Sequence, residues 1–229
     1  MRKNRLALLL TVWMFFSQVS AQAPLKKNPD PLRFKKEIAR FLTYDKKNSF
    51  PANAVLFLGS SSIRKWYTHV GFPEYPVINR GFGGSQLSDV LYYFDVLLKK
   101  YNPLVVVFYE GDNDIAYGKS PQQVFADYKA FVTRFKKDLP EAKLIFISIK
   151  PSILRWKLWP QMQQANRLIK KFNAQYDNLF YLDLAQLLLD KNGLPDKQWY
   201  VSDGLHLNRK GYQRWNTALK PLLKQLYLK

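Results

Sequence analysis

Three serines in a row follow a glycine at the end of an apolar run, "FLGSSSI" (57–63). A serine hydroxyl becomes a nucleophile at neutral pH only with a base beside it, and histidine is the usual base. The chain has two histidines. His69 lies in the turn-rich "YTHVGFPEYP" and reads as a surface or packing residue, whereas His206, in "YVSDGLHLN", follows Asp203 by three positions. A carboxylate beside the ring fixes the imidazole tautomer and stabilises the imidazolium, and one helical turn would bring residues three apart to the same side. The oxyanion that forms when a carbonyl is attacked needs hydrogen-bond donors. "NRGFGGSQLSD" offers backbone N–H groups, that of Gly84 among them, and "EGDND" offers the Asn113 amide.

Each of these stretches has a plainer reading. The serines could cap a helix beginning near Ile63, and Ser60 and Ser62 read as turn and cap residues. Gly81, Gly83 and Gly84 could form a tight turn, but no Walker lysine follows them and the third glycine of a dinucleotide fingerprint is missing. Asp112 and Asp114 flank Asn113 without the spaced ligands and closing glutamate of a calcium loop, so they read as helix caps. Ile63 stands where a "GxSxG" elbow would have its second glycine, which excludes that motif. With no cysteine and two histidines, thiolate chemistry, disulfides and a histidine-rich metal site are excluded, and no metal or organic cofactor is called for.

The elements that must position these residues alternate. Nearly continuous apolar runs at 54–59, 76–81, 104–111, 143–150 and 178–183 read as parallel strands buried on both faces. Helical patterns lie near 31–43, 87–101, 121–138, 160–176 and 208–227. Ser120-Pro121 reads as an N-cap followed by proline at the first helical position, and Asn208 as the N-cap of the last helix. The alternation predicts an α/β fold, a doubly wound sandwich around a five-stranded parallel sheet. Ligands bind such sheets beyond the carboxyl ends of the strands, and four of those ends carry the small or polar clusters above.

Taken in order, the four clusters resemble the blocks of the SGNH hydrolases, also called GDSL-type esterases. The likeness runs from the first strand to the last helix. "FLGSSSI" is similar to the first block, "NRGFGGSQ" to the second, "GDND" to the third and "SDGLHLN" to the last. The resemblance implies a three-layer α/β/α sandwich of flavodoxin-like topology and a carboxylic ester hydrolase without cofactors. It implies Ser61 as nucleophile, with Asp203 and His206 completing a triad, and an oxyanion hole from the N–H groups of Ser61 and Gly84 and the Asn113 side chain. Position 60 is serine where the family usually has aspartate. The nearest branch, acetylhydrolases related to platelet-activating-factor acetylhydrolase and bacterial carbohydrate esterases, implies short acyl esters, acetyl above all, on a carbohydrate. A lysophospholipase or lipid esterase at anionic membranes is a second reading, and a non-catalytic envelope-binding protein a third. Trp156 and Trp159, in "PSILRWKLWP", read equally as an acyl or sugar subsite and as a cover over the sheet edge.

Residues 1–21 have a basic start, an apolar stretch and small residues at the end, the pattern of a secretory signal cut after Ala21. This leaves residues 22–229 as one esterase domain, periplasmic or secreted. The formal net charge is +19; the three basic residues of 1–21 removed, +16 remains. Such a charge suits peripheral contact with anionic envelope surfaces, while the scatter of the lysines over many segments gives no reason to expect nucleic acid. Lys220, Lys224 and Lys229 read as an exposed stripe on the last helix.

Overall fold

The computed structural model describes residues 25–228. The secretory signal read over 1–21 lies outside the described residues. Five strands form inside the expected runs: β1 (Val55–Gly59), β2 (Val77–Gly81), β3 (Val105–Tyr109), β4 (Lys143–Ile147) and β5 (Leu179–Leu182). They make one sheet in the order β2-β1-β3-β4-β5, with every pairing parallel.

Successive side chains of a strand point to opposite faces. Leu56, Leu58, Val106, Phe108, Leu144 and Phe146 accordingly enter one core. Val55, Phe57, Val107, Tyr109, Ile145 and Ile147 enter the other. Both faces are covered, so both sets must be apolar, and this is why the strands read as continuous apolar runs rather than alternating ones.

The helices are α1 (Lys35–Asp45), α2 (Ser61–Arg64), α3 (Thr68–Gly71), α4 (Leu87–Tyr92), α5 (Phe94–Leu97), α6 (Asp112–Ala116), α7 (Pro121–Asp138), α8 (Trp159–Asn173) and α9 (Arg209–Tyr227). The first core is closed by α1, α4, α5, α7 and α8, and the second by α2 and α9. Ser120 Oγ accepts from Gln123 N at 3.2 Å at the start of α7, and Asn208 Oδ1 from Gly211 N at 3.0 Å at the start of α9. Both caps are where the sequence puts them. The stretch 87–101, expected as one helix, is instead α4, α5 and a 3-10 turn over Lys99–Tyr101. The break falls at Tyr93, whose hydroxyl donates to Pro31 O at 3.0 Å.

From β1 the chain moves outward to β2, then crosses back past β1 to β3. The loops after β1 and β3 therefore diverge at the switch point of the sheet, where a crevice opens. Residues 60–62 stand on one side of it and residues 110–114 on the other.

Candidate active site

The first wall of the crevice depends on a glycine. Gly59 has φ +133°, and a Cβ there would stand 1.9 Å from Tyr109 O. Without a side chain the backbone closes up, Ser60 N–H donates to Tyr109 O at 3.2 Å, and the chain turns at once into α2. Ser60 occupies the N-cap position, with its carbonyl accepting from Ile63 N and Arg64 N at 3.0 Å each. Its hydroxyl makes no capping bond, contrary to expectation: it points inward and has no partner among the described residues. Ser61 is the first residue of the helix, so its own N–H lacks an intrahelical acceptor.

The last loop brings the histidine. Asp203 and His206 are joined not by a helical turn, as their spacing suggested, but by a turn in which the carboxylate itself takes backbone donors. Asp203 Oδ1 accepts from Leu205 N at 2.8 Å and from His206 N at 2.9 Å. This leaves Oδ2 for His206 Nδ1, at 2.6 Å. The opposite ring nitrogen, Nε2, lies 2.9 Å from Ser61 Oγ, a residue 145 positions earlier. A carboxylate only accepts, so Nδ1 carries the hydrogen and the Nε2 lone pair faces the serine hydroxyl. Burial pushes the Asp203 carboxyl up, but the His206 ring and the two backbone donors outweigh it and hold it well below the usual carboxylate range.

The second and third loops bring donors. Gly84 has φ +82° and is exposed, and its N–H has no acceptor among the described residues. The Asn113 amide nitrogen gives one hydrogen to Ser85 O at 2.9 Å, leaving the second free. Its Oδ1 accepts from Arg155 Nη2 at 3.0 Å, while Arg155 Nη1 pairs with Asp112 at 2.9 Å. The two aspartates beside Asn113 thus do not cap their own helix, whose N-cap is Gly111. Asp112 anchors Arg155. Asp114 is buried with Lys119 at 2.9 Å and accepts from Leu87 N at 3.3 Å, capping α4 from across the crevice.

These four strand ends can be compared with known proteins. A family model described as GDSL-like lipase/acylhydrolase matches residues 62–214, starting one residue after Ser61. The chain belongs to the GDSL-like lipase/acylhydrolase family. It is a carboxylic ester hydrolase. The human isoamyl acetate-hydrolyzing esterase 1 homolog is 29% identical over 175 residues, 65% of this chain and 68% of the relative. A Streptococcus pneumonia protein provisionally described as a platelet activating factor shares the fold with a TM-score of 0.75 at 22% identity, over 84% of this chain and 94% of the other. A carbohydrate esterase family 3 structure from Talaromyces cellulolyticus does so with a TM-score of 0.62 at 18% identity, over 76% and 97%.

Two polar residues of this acylhydrolase escaped the sequence reading, and both follow β4. Arg155 grips Asn113 and Asp112 as described. Lys150 is 1% exposed and donates from Nζ to Leu205 O at 2.6 Å, propping the turn that presents His206. Burial pushes its pKa down to about 8, with Asp112 opposing. A lysine closing an apolar strand and an arginine inside "PSILRWKLWP" are the only charges at that strand end before Lys157, and nothing in their local sequence names the partners they hold.

The tryptophans of the same stretch pack on the first core. Trp159 is 5% exposed and belongs to the first core, with Trp156 packed against that core and stacked on it at 6.2 Å. Neither lines the hollow of about 380 Å³ beside Asp203, which Ile153, Leu154 and Val201 wall. His69 is exposed, on α3.

Proposed function

We propose that this acylhydrolase is an exported serine esterase that removes short acyl groups, acetyl foremost, from a carbohydrate. One observation carries the chemistry: Asp203 Oδ2, His206 Nδ1, His206 Nε2 and Ser61 Oγ form one continuous chain of contacts at 2.6 and 2.9 Å. Ser61 Oγ bonds the ester carbonyl carbon as His206 Nε2 takes its proton. The carbonyl electron pair moves onto oxygen, where the N–H groups of Ser61 and Gly84 and the free Asn113 hydrogen receive it. Collapse expels the alcohol, protonated by His206, and leaves the acyl group on Ser61. Water then attacks with His206 as base and frees the acid. Asp203, ionised throughout, holds the ring and its developing charge.

The acetyl preference is supported by the acetate ester in the name of the human relative, and the carbohydrate by the Talaromyces structure. Export is supported by the signal pattern of residues 1–21. The test is hydrolysis of p-nitrophenyl acetate, butyrate and octanoate by residues 22–229, with Ser61→Ala in parallel. Acetate is expected to be cleaved fastest, and the alanine variant to lose about 10⁴-fold or more in kcat. Preference for octanoate would replace the short-acyl reading with the lipid one. Undiminished activity in Ser61→Ala would remove the nucleophile assignment.

A further inference from the structure

Beside the candidate active site runs a groove of about 1190 Å³ between the α2–α3 segment and the first half of α9. Neither Ser61 nor His206 lines it, but its wall includes residues close to both along the chain. Lys65, on its wall, follows Ser61 by one helical turn, with its N–H donating to Ser61 O at 2.9 Å. Leu207, also on its wall, is the residue after His206. At Val201 the groove meets the smaller hollow beside Asp203. A pocket for one small molecule usually measures about 300–1,000 Å³, so this one is roomy enough to receive more than the reacting unit of a larger substrate.

Its lining includes Arg64, Lys65, Arg209 and Lys220, and no aspartate or glutamate. Arg64 and Lys220 pair with Glu37 and Glu74, at 3.4 and 3.5 Å. Lys65 and Arg209 have no carboxylate within ion-pair distance among the described residues. The lining also includes Gln213, which is exposed, and Tyr67, 74% exposed and set edge-on to His69 at 6.4 Å.

Accepting the esterase reading given above, on which this rests, we infer that the groove binds the chain of an acidic polysaccharide whose ester is cleaved at Ser61. Unpaired cations meet the carboxylates of uronic-acid units, the amide meets hydroxyls, and Tyr67 stacks on a sugar ring. A bilayer surface could use the same charges, but it cannot enter a concave groove, and a neutral glycan would leave Lys65 and Arg209 unmatched.

The experiment uses the protein expressed from the full chain. Binding of Ser61→Ala to polygalacturonate, to neutral dextran and to phosphatidylglycerol vesicles is measured at 20 and 200 mM NaCl, with and without the paired substitution Lys65→Glu and Arg209→Glu. Deacetylation of acetylated pectin is measured for the same pair in the Ser61 protein, divided by its own rate on p-nitrophenyl acetate. Binding to polygalacturonate is expected to be at least tenfold tighter than to dextran, weaker at the higher salt, and about tenfold weaker with both charges reversed. The pectin rate should fall by a similar factor relative to p-nitrophenyl acetate. Equal binding to dextran, or polygalacturonate binding indifferent to the charge reversal, overturns the inference. Charge-sensitive binding to vesicles alone assigns the surface to lipid instead. Inertness of the Ser61 protein toward p-nitrophenyl acetate would strike the esterase reading, while the binding arm still decides what the groove holds.

Discussion

An amide side chain is useful as an oxyanion donor only if its nitrogen, not its oxygen, faces the reacting carbonyl. Arg155 settles that choice for Asn113: its Nη2 sits 3.0 Å from Oδ1, and a guanidinium only donates, so the oxygen must face it. Arg155→Gln is therefore expected to lower kcat about 10–100-fold while KM changes less than about twofold, a fraction of the roughly 10²–10³ lost with a whole oxyanion donor. Arg155→Lys should recover part of the rate, since a lysine can reach one of the two acceptors but not both in the fork geometry. The decisive readout is a double-mutant cycle on kcat. If Arg155 works through Asn113, adding Arg155→Gln to Asn113→Ala changes little further, whereas additive losses would separate the two residues. Ser61, His206, Asp203 and Asn113 could be singled out in the sequence because the roles proposed for them demand particular side chains at strand ends. Arg155 and Lys150 could not, because their roles are set by partners 42 and 55 residues away that only the sheet brings near. The inward hydroxyl of Ser60 was hidden too, for nothing in "GSSSI" tells a capping serine from a buried one.

Among the elements, the strands were legible since burial on both faces leaves them few polar positions, and α7 and α9 since their caps are local chemistry. The division of 87–101 into α4 and α5 was not, because the apolar spacing suits a single helix and the break sits at a tyrosine bonded to a distant carbonyl. Two predictions belong at this scale. The β1–α2 turn allows only glycine at 59, so Gly59→Ala should both destabilise the fold and displace Ser61. Denaturation midpoint and p-nitrophenyl acetate rate are expected to fall together, and a variant of unchanged stability and rate would contradict the turn's role. The second concerns the α6–α7 connection, where Asp114 and Lys119 are both 0% exposed. Burial, opposed by Lys119, pushes the Asp114 pKa up to about 6 from 3.8. A folded-state pKa above the unfolded one means that the group's contribution is full below about pH 4 and is lost as the pH rises through 6. Removing the cation by Lys119→Met raises that pKa further and strands the carboxyl. Urea denaturation should put the variant about 3–5 kcal/mol below the parent at pH 7.5, and visibly closer to it at pH 5. A gap that does not change with pH would show that Lys119 acts by packing alone.

For the whole molecule, charge and boundaries go together. The buried carboxylates Asp89, Asp112 and Asp114 each pair with an arginine or lysine, whereas Glu110 is buried against Ser85 with no cation beside it among the described residues, and the chain beyond residue 21 carries a surplus of +16. That surplus suits contact with anionic material, and it makes the fate of residues 1–21 a question about function. Among the described residues no helix is long and apolar enough to cross a membrane. The chain is tied to the domain from Lys26 onward: its N–H donates to Gln123 Oε1 on α7 at 3.0 Å, and the Gln123 amide donates back to Lys26 O. A cut after Ala21 leaves four residues ahead of that anchor, so processing can proceed without loosening α7. Expression of the full chain in a Gram-negative host is accordingly expected to give a protein beginning at Gln22, released with the periplasmic contents by osmotic shock. N-terminal sequencing and fractionation check this directly. Met1 retained on protein in the membrane fraction would make residues 1–21 an anchor. The basic groove would then work on polymers within reach of the membrane rather than on free ones.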